Sequence, residues 1–145
     1  MGKVTVKVRI ENMGDLHDAD HGRIASSDVR GLEIPDALVD TGATGLHVPK
    51  TQLAMLGLKQ LRSRIALTAA GEREVRVFGP VRLTIEGRNC PMDISELPDG
   101  CPALIGQIPL EAMDFVVDPK NQKIIGNPAH GGVEMIEIYT LLAES

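Results

Sequence analysis

Ala37-Leu38-Val39-Asp40-Thr41-Gly42-Ala43-Thr44-Gly45-Leu46-His47-Val48 decides how the rest of the chain is read. An apolar run drives into a carboxylate, a hydroxyl and a glycine, then leaves through a second glycine into another apolar stretch. That pattern is a strand delivering an acid onto a tight loop. Gly42 and Gly45 are expected to give the backbone freedom where side chains obstruct close approach. Asp40 is the loop group that can exchange a proton or polarise water.

Composition limits how that acid can be used. With 145 residues, 43% of them hydrophobic, and no evident linker, residues 1–145 are expected to form one domain around one core. Tryptophan is absent and aromatic residues are scarce, so the core should be aliphatic and suited to strands. A formal net charge of -5 without a Lys/Arg run argues against nucleic acid or an anionic membrane as partner. The opening Lys3 to Ile10 interleaves charges and cannot be the apolar segment of a signal peptide, and no stretch is long enough to cross a bilayer. Met1-Gly2 is followed by Val6 where myristoylation wants Ser or Thr. A cytoplasmic protein is the expectation.

Cys90 and Cys101 lack the paired spacing of a zinc site and are expected to be reduced thiols. His17-Asp18-Ala19-Asp20-His21 is a better metal candidate, since histidines four apart share a helix face. Gly14 and Gly22 point instead to a polar loop and a third ligand is missing, so no metal is expected.

Along the chain, Val4, Val6, Val8 and Ile10 alternate as a half-buried strand, and Glu11 to Ser27 reads as a polar loop or surface insertion. Val29 to Ile34 is a second strand, and Pro35-Asp36 a turn before the strand Ala37 to Asp40. Pro49 opens a short helix, Lys50 to Leu56, closed by Gly57. Ile65, Leu67 and Ala69 run up to a turn at Ala70-Gly71-Glu72-Arg73, and Val75 and Val77 run back, giving a long arm with a small, mobile tip. Phe78-Gly79-Pro80 redirects the chain, and Glu86 to Asn89 turns it again. Ala103-Leu104-Ile105-Gly106 repeats the strand-into-glycine layout of the Asp40 loop. A helix Ile108 to Met113, strands at Phe115 to Val117 and Lys123 to Gly126, and an unassigned segment Val133 to Leu142 complete the chain. Met92 and Met113 read as core, His47 as exposed by alternation, and His130 as lacking a partner.

The order of these features resembles the retropepsin-like, single-lobe aspartic peptidases. The likeness rests on Leu38-Val39-Asp40-Thr41-Gly42-Ala43 as catalytic loop, Ile65 to Val77 as flap and Ala103-Leu104-Ile105-Gly106 as the apolar-apolar-Gly element behind it. It covers about residues 29–126 and leaves 127–145 as a C-terminal extension. It implies an all-β, closed barrel-like fold with a flap hairpin and one or two short helices. It also implies a homodimer, since one Asp-Thr-Gly per chain needs Asp40 of a second copy, and an extended peptide substrate. By the same likeness Asp40, Thr41 and Gly42 are catalytic, while Ala43, Ala69, Ala70, Gly71 and Gly106 bind substrate; no cofactor is implied. Two-lobed relatives commonly carry a hydroxyl where Ala43 stands, so activity is expected at weakly acidic to near-neutral pH. Viral members often ion-pair across the positions of Thr44 and Gln107, which here suggest a neutral hydrogen-bonded pair.

Three other readings stand beside this one. A catalytically silent dimeric peptide-binding or scaffold module has the same fold. Thr41 to Gly45 also resembles the start of a dinucleotide-binding turn, but Val48 occupies the place of the third glycine. Finally, Asp40 can be a loop-capping carboxylate that accepts backbone hydrogen bonds.

Overall fold

A computed structural model describes residues 3–139. Its first strand, β1 (Thr5–Asn12), buries Val6, Val8 and Ile10 and leaves Thr5, Lys7 and Arg9 in solvent, as the alternation requires. The next segment departs from the expected loop: Met13–Asp20 is a helix, α1. Asn12 caps it by accepting from the N–H of Asp15 (3.1 Å), and its amide donates to the carbonyl of Leu56 (2.9 Å). Asp15 is buried against Arg30, whose Nε and backbone N–H donate at 2.8 and 3.0 Å. Arg30 holds the Asp15 carboxyl down at about 2.

A second correction falls on Pro35-Asp36. They do not form a turn but lie within one continuous strand, β2 (Gly31–Val39). Val6 pairs with Ala37 and Val8 with Ile34, so Pro35 and Asp36 together oppose Lys7 in a bulge. The bulge accommodates the missing proline N–H. β3 (Leu46–Pro49) leads into α2 (Lys50–Ala54), which Pro49 precedes as cap and which ends before the expected Leu56; Gly57 then takes φ +59.

β4 (Lys59–Thr68) and β5 (Gly71–Ile85) form the arm. Its turn is Ala69-Ala70, earlier than read from the sequence, because the Thr68 hydroxyl binds both the carbonyl of Gly71 (2.7 Å) and the N–H of Ala70 (3.1 Å). The chain is not redirected at Gly79-Pro80 either. β5 continues, and these two residues oppose Asp93 alone on β6 (Arg88–Leu97). The bulge reverses which alternate residues face inward: Phe78 shares a face with buried Ile94 before it, and Val81, Leu83 and Ile85 are buried after it.

β7 (Leu104–Ile105), α3 (Gln107–Ala112) and the hairpin β8 (Phe115–Asp118) with β9 (Lys123–Gly126) follow. The main sheet has the order β1-β2-β7-β3-β6-β5-β4, and β1 also pairs with β5. Six strands therefore close into a ring, from which β4 and the distal half of β5 project. Among the described residues the chain is mostly strand, with three short α-helices rather than one or two. The ring encloses an aliphatic core centred on Ile10, Leu46, Leu83, Ile85, Ile94 and Ile105, and Met113 is fully buried beside it. Residues 133–138 have no regular structure, and residues 140–142 of the segment read to Leu142 lie outside the described residues. Among the described residues no helix is long and apolar enough to cross a membrane.

Candidate functional site

The Asp40 loop is held from behind by backbone hydrogen bonds. Asp40 N–H donates to the Ile105 carbonyl (2.9 Å). Returning from β7, the N–H groups of Gly106, Gln107 and Ile108 donate to the carbonyls of Gly45, Ala43 and Thr44 at 2.8 to 2.9 Å. This approach requires glycine at 106, where a Cβ would stand 2.6 Å from the Ala43 carbonyl oxygen and 2.7 Å from that of Gly45. The tight glycine is thus Gly106 rather than Gly45, beside which a Cβ would meet nothing within 4 Å. Of the residues read as functional, Asp40 to Ala43 and Gly106 come together. Ala69, Ala70 and Gly71 lie apart at the exposed arm tip, with nothing within 4 Å of a Cβ placed on Gly71.

Strand register fixes the surroundings of Asp40. Directly paired residues share a sheet face, and Leu38 pairs with Leu104, Leu104 with His47, His47 with Ser95, and Ser95 with Val77. Across the arm Val77 pairs with Arg62, and Val75 with Arg64. The opposite face carries Ile105, Leu46, Ile94 and Phe78 toward the core. Asp40, two residues past Leu38, belongs to the first face. Val77 is buried yet stands outside the core cluster, as this arrangement demands. The face is a shallow wall running from the acid to the underside of the arm.

On that wall the Asp40 carboxylate is half-buried. Its Oδ1 accepts the N–H of Gly42 (2.9 Å), while Oδ2 has no hydrogen-bond partner among the described residues. Thr41 and Gly42 are exposed and Ala43 half-buried. His47 is not the exposed histidine expected from alternation. It is half-buried, and its Nε2 is enclosed without a hydrogen-bond partner. Burial pushes its pKa down, against a smaller upward pull from the Asp40 charge. Thr44 and Gln107 do not pair through their side chains, because Gln107 donates to Glu111 one helical turn on (2.9 Å).

The other candidates resolve differently. His17 on α1 and His21, its C-terminal cap, come together with ring centroids 4.2 Å apart, yet no group of three potential metal ligands occurs among the described residues. Cys90 is buried, its thiol pushed up by burial and by the Glu134 charge; Cys101 is exposed, and both are free. His130 has partners after all: Nδ1 meets Asp114 (2.6 Å) and Nε2 meets Glu137 (2.8 Å). A cavity of about 270 Å³ between α2 and the base of the arm, lined by Leu53, Phe78, Arg76 and Glu96, contains no residue of the Asp40 loop.

Sequence reasoning missed Leu38, His47, Ser95 and Leu104 as wall residues. The signal was available for Leu38, which period-two alternation counted from Asp40 puts beside it, while for His47 alternation gave the side but not what covers it. For Ser95 and Leu104 only the register supplies it. No family model matches the chain, and no curated protein matches it either.

Proposed function

We propose that the chain is a retropepsin-like aspartic endopeptidase that works as a homodimer on extended peptides. The observation that carries this reading is the Asp40 loop itself. Four backbone hydrogen bonds fix it from behind, through Asp40, Gly106, Gln107 and Ile108, while the carboxylate keeps a free oxygen on the wall that continues under the arm. The Gly42 N–H bond alone is what a loop-capping aspartate makes, and the fate of cleavage in Asp40→Asn separates the two readings.

Asp40 and Asp40 of a second copy share one proton. The ionised carboxylate takes a proton from water as the water oxygen attacks the scissile carbonyl carbon, and the protonated one donates to the carbonyl oxygen. The tetrahedral species then collapses as the dyad returns a proton to the leaving nitrogen. Thr41 braces the paired loops, the Gly42 backbone and Ala43 meet the substrate, and Ala69, Ala70 and Gly71 close over it.

The test is cleavage of a diverse peptide mixture between pH 4 and 7 by wild type and Asp40→Asn, at protein concentrations that favour dimers. Cleavage that disappears in the variant supports the reading. A folded, dimeric wild type that binds peptides and cleaves none replaces it with the silent binding module.

A further inference from the structure

The arm segregates charge by face. On the side continuous with Asp40 and His47 stand Arg62, Arg64 and Arg73; the other side carries Glu72 and Glu74 beside exposed Ile65 and Leu67. Arg62 is engaged by Asp93 (3.6 Å), and Arg76, at the base of the opposite face, by Glu96 (2.8 Å). Arg64 and Arg73 are exposed and have no ion pair among the described residues, because alternation puts both arm glutamates on the other face. Farther along the wall His47 encloses an Nε2 with no partner. A buried polar atom without a partner costs free energy until something supplies one. Arginine forks match carboxylate geometry, and a neutral imidazole can donate to the same group.

We infer, on the peptidase reading above, that His47, Arg64 and Arg73 form a subsite for an acidic side chain of the bound peptide. The Asp40 dyad, negative on the same wall, repels a second carboxylate, so the acidic side chain is drawn toward the arm and not onto the dyad. His47 stands between the two with Nε2 enclosed, so its ring must rotate to bring that nitrogen to the carboxylate, while the arginines hold it from the arm.

The experiment uses peptide pairs identical except that one acidic residue is exchanged for its amide, scanned through the positions flanking the cut. Wild type should favour the acidic member at one position by about tenfold, less at high salt. In Arg64→Gln/Arg73→Gln, and separately in His47→Val, that ratio should fall toward one. A wild-type ratio of one at every position overturns the subsite and leaves the peptidase reading standing. If nothing is cleaved, the peptidase reading fails, and fluorescence anisotropy with the same pairs decides the subsite. Tighter binding of the acidic member, lost in the arginine variant, then sustains it; equal binding or none overturns it.

Discussion

Asp40 and Asp114 are two carboxylates of one chain treated in opposite ways. Asp114 is buried and fully engaged: Oδ2 meets His130 (2.6 Å) and accepts the N–H of Met135 (3.0 Å), and Oδ1 accepts from Asn127 (3.2 Å). Arg88 adds to the same corner by donating to the carbonyls of Met113, Asp114 and Gly132 and lying over the Phe115 ring. Around Asp40 the hydrogen bonds go to the backbone, and the carboxylate receives a single N–H. Where side-chain partners converge on the acid, the acid holds the structure. Where the backbone is held by other groups, the acid is left open, as the peptidase proposal needs.

The contrast breaks most visibly under Asp40→Asn. The amide oxygen still accepts from Gly42, so the thermal midpoint should stay within about 2 °C of wild type. Peptide cleavage should fall by roughly 10³-fold or more, because an amide cannot take a proton from water. A midpoint drop comparable to a core substitution would instead assign Asp40 to the structural class. Gly106→Ala attacks the other half of the argument. Its Cβ would press on two backbone carbonyl oxygens that cannot swing aside, at 2.6 and 2.7 Å. The expected cost is about 3 kcal/mol, roughly 10 °C in thermal unfolding, with cleavage lost as the loop shifts. Asp114→Ala should lower the midpoint by roughly 5 °C while the protein that remains folded at 25 °C cleaves as before. Loss of cleavage at unchanged stability would erase the distinction between the two acids.

How far this could be read from the sequence follows from which forces are local. The strand leading to Asp40, the returning Leu104-Ile105-Gly106 and the alternation of β1 are written in residues a few positions apart, and they are where the reading expected them. Helix α1 had a local signal too, an Asn cap with an acid three residues on, but Gly14 and the density of polar residues hid it. The arm was legible as a hairpin from the alternation of Val75 and Val77, but not the bulge at Gly79-Pro80 that puts this set on the Asp40 wall. His47 followed the same logic: alternation placed it opposite Leu46 and Val48 correctly, but that opposite side is a wall of the site and not open solvent. For His130 the buried partner was beyond reach, since Asp114 lies 16 residues away and meets it only when the β8–β9 hairpin folds back, while Glu137 lies seven residues on in a segment without regular structure.

The Asp114 corner also makes the finest test of the comparison, through pH. Hydrogen bonds to Glu137 and then to Asp114 raise the pKa of His130, and the bond from His130 lowers that of Asp114. A raised histidine stabilises the fold fully below its unfolded value near 6.5, and that stabilisation is lost as pH climbs through the raised folded value. A lowered aspartate stabilises above its unfolded value near 3.8, with the loss coming as pH falls through the lowered one. Both terms are therefore in place together between about pH 4 and 6.5. Raising the pH from 6 to 9 should lower the wild-type midpoint by about 1–3 °C more than that of His130→Gln, which has no proton to lose.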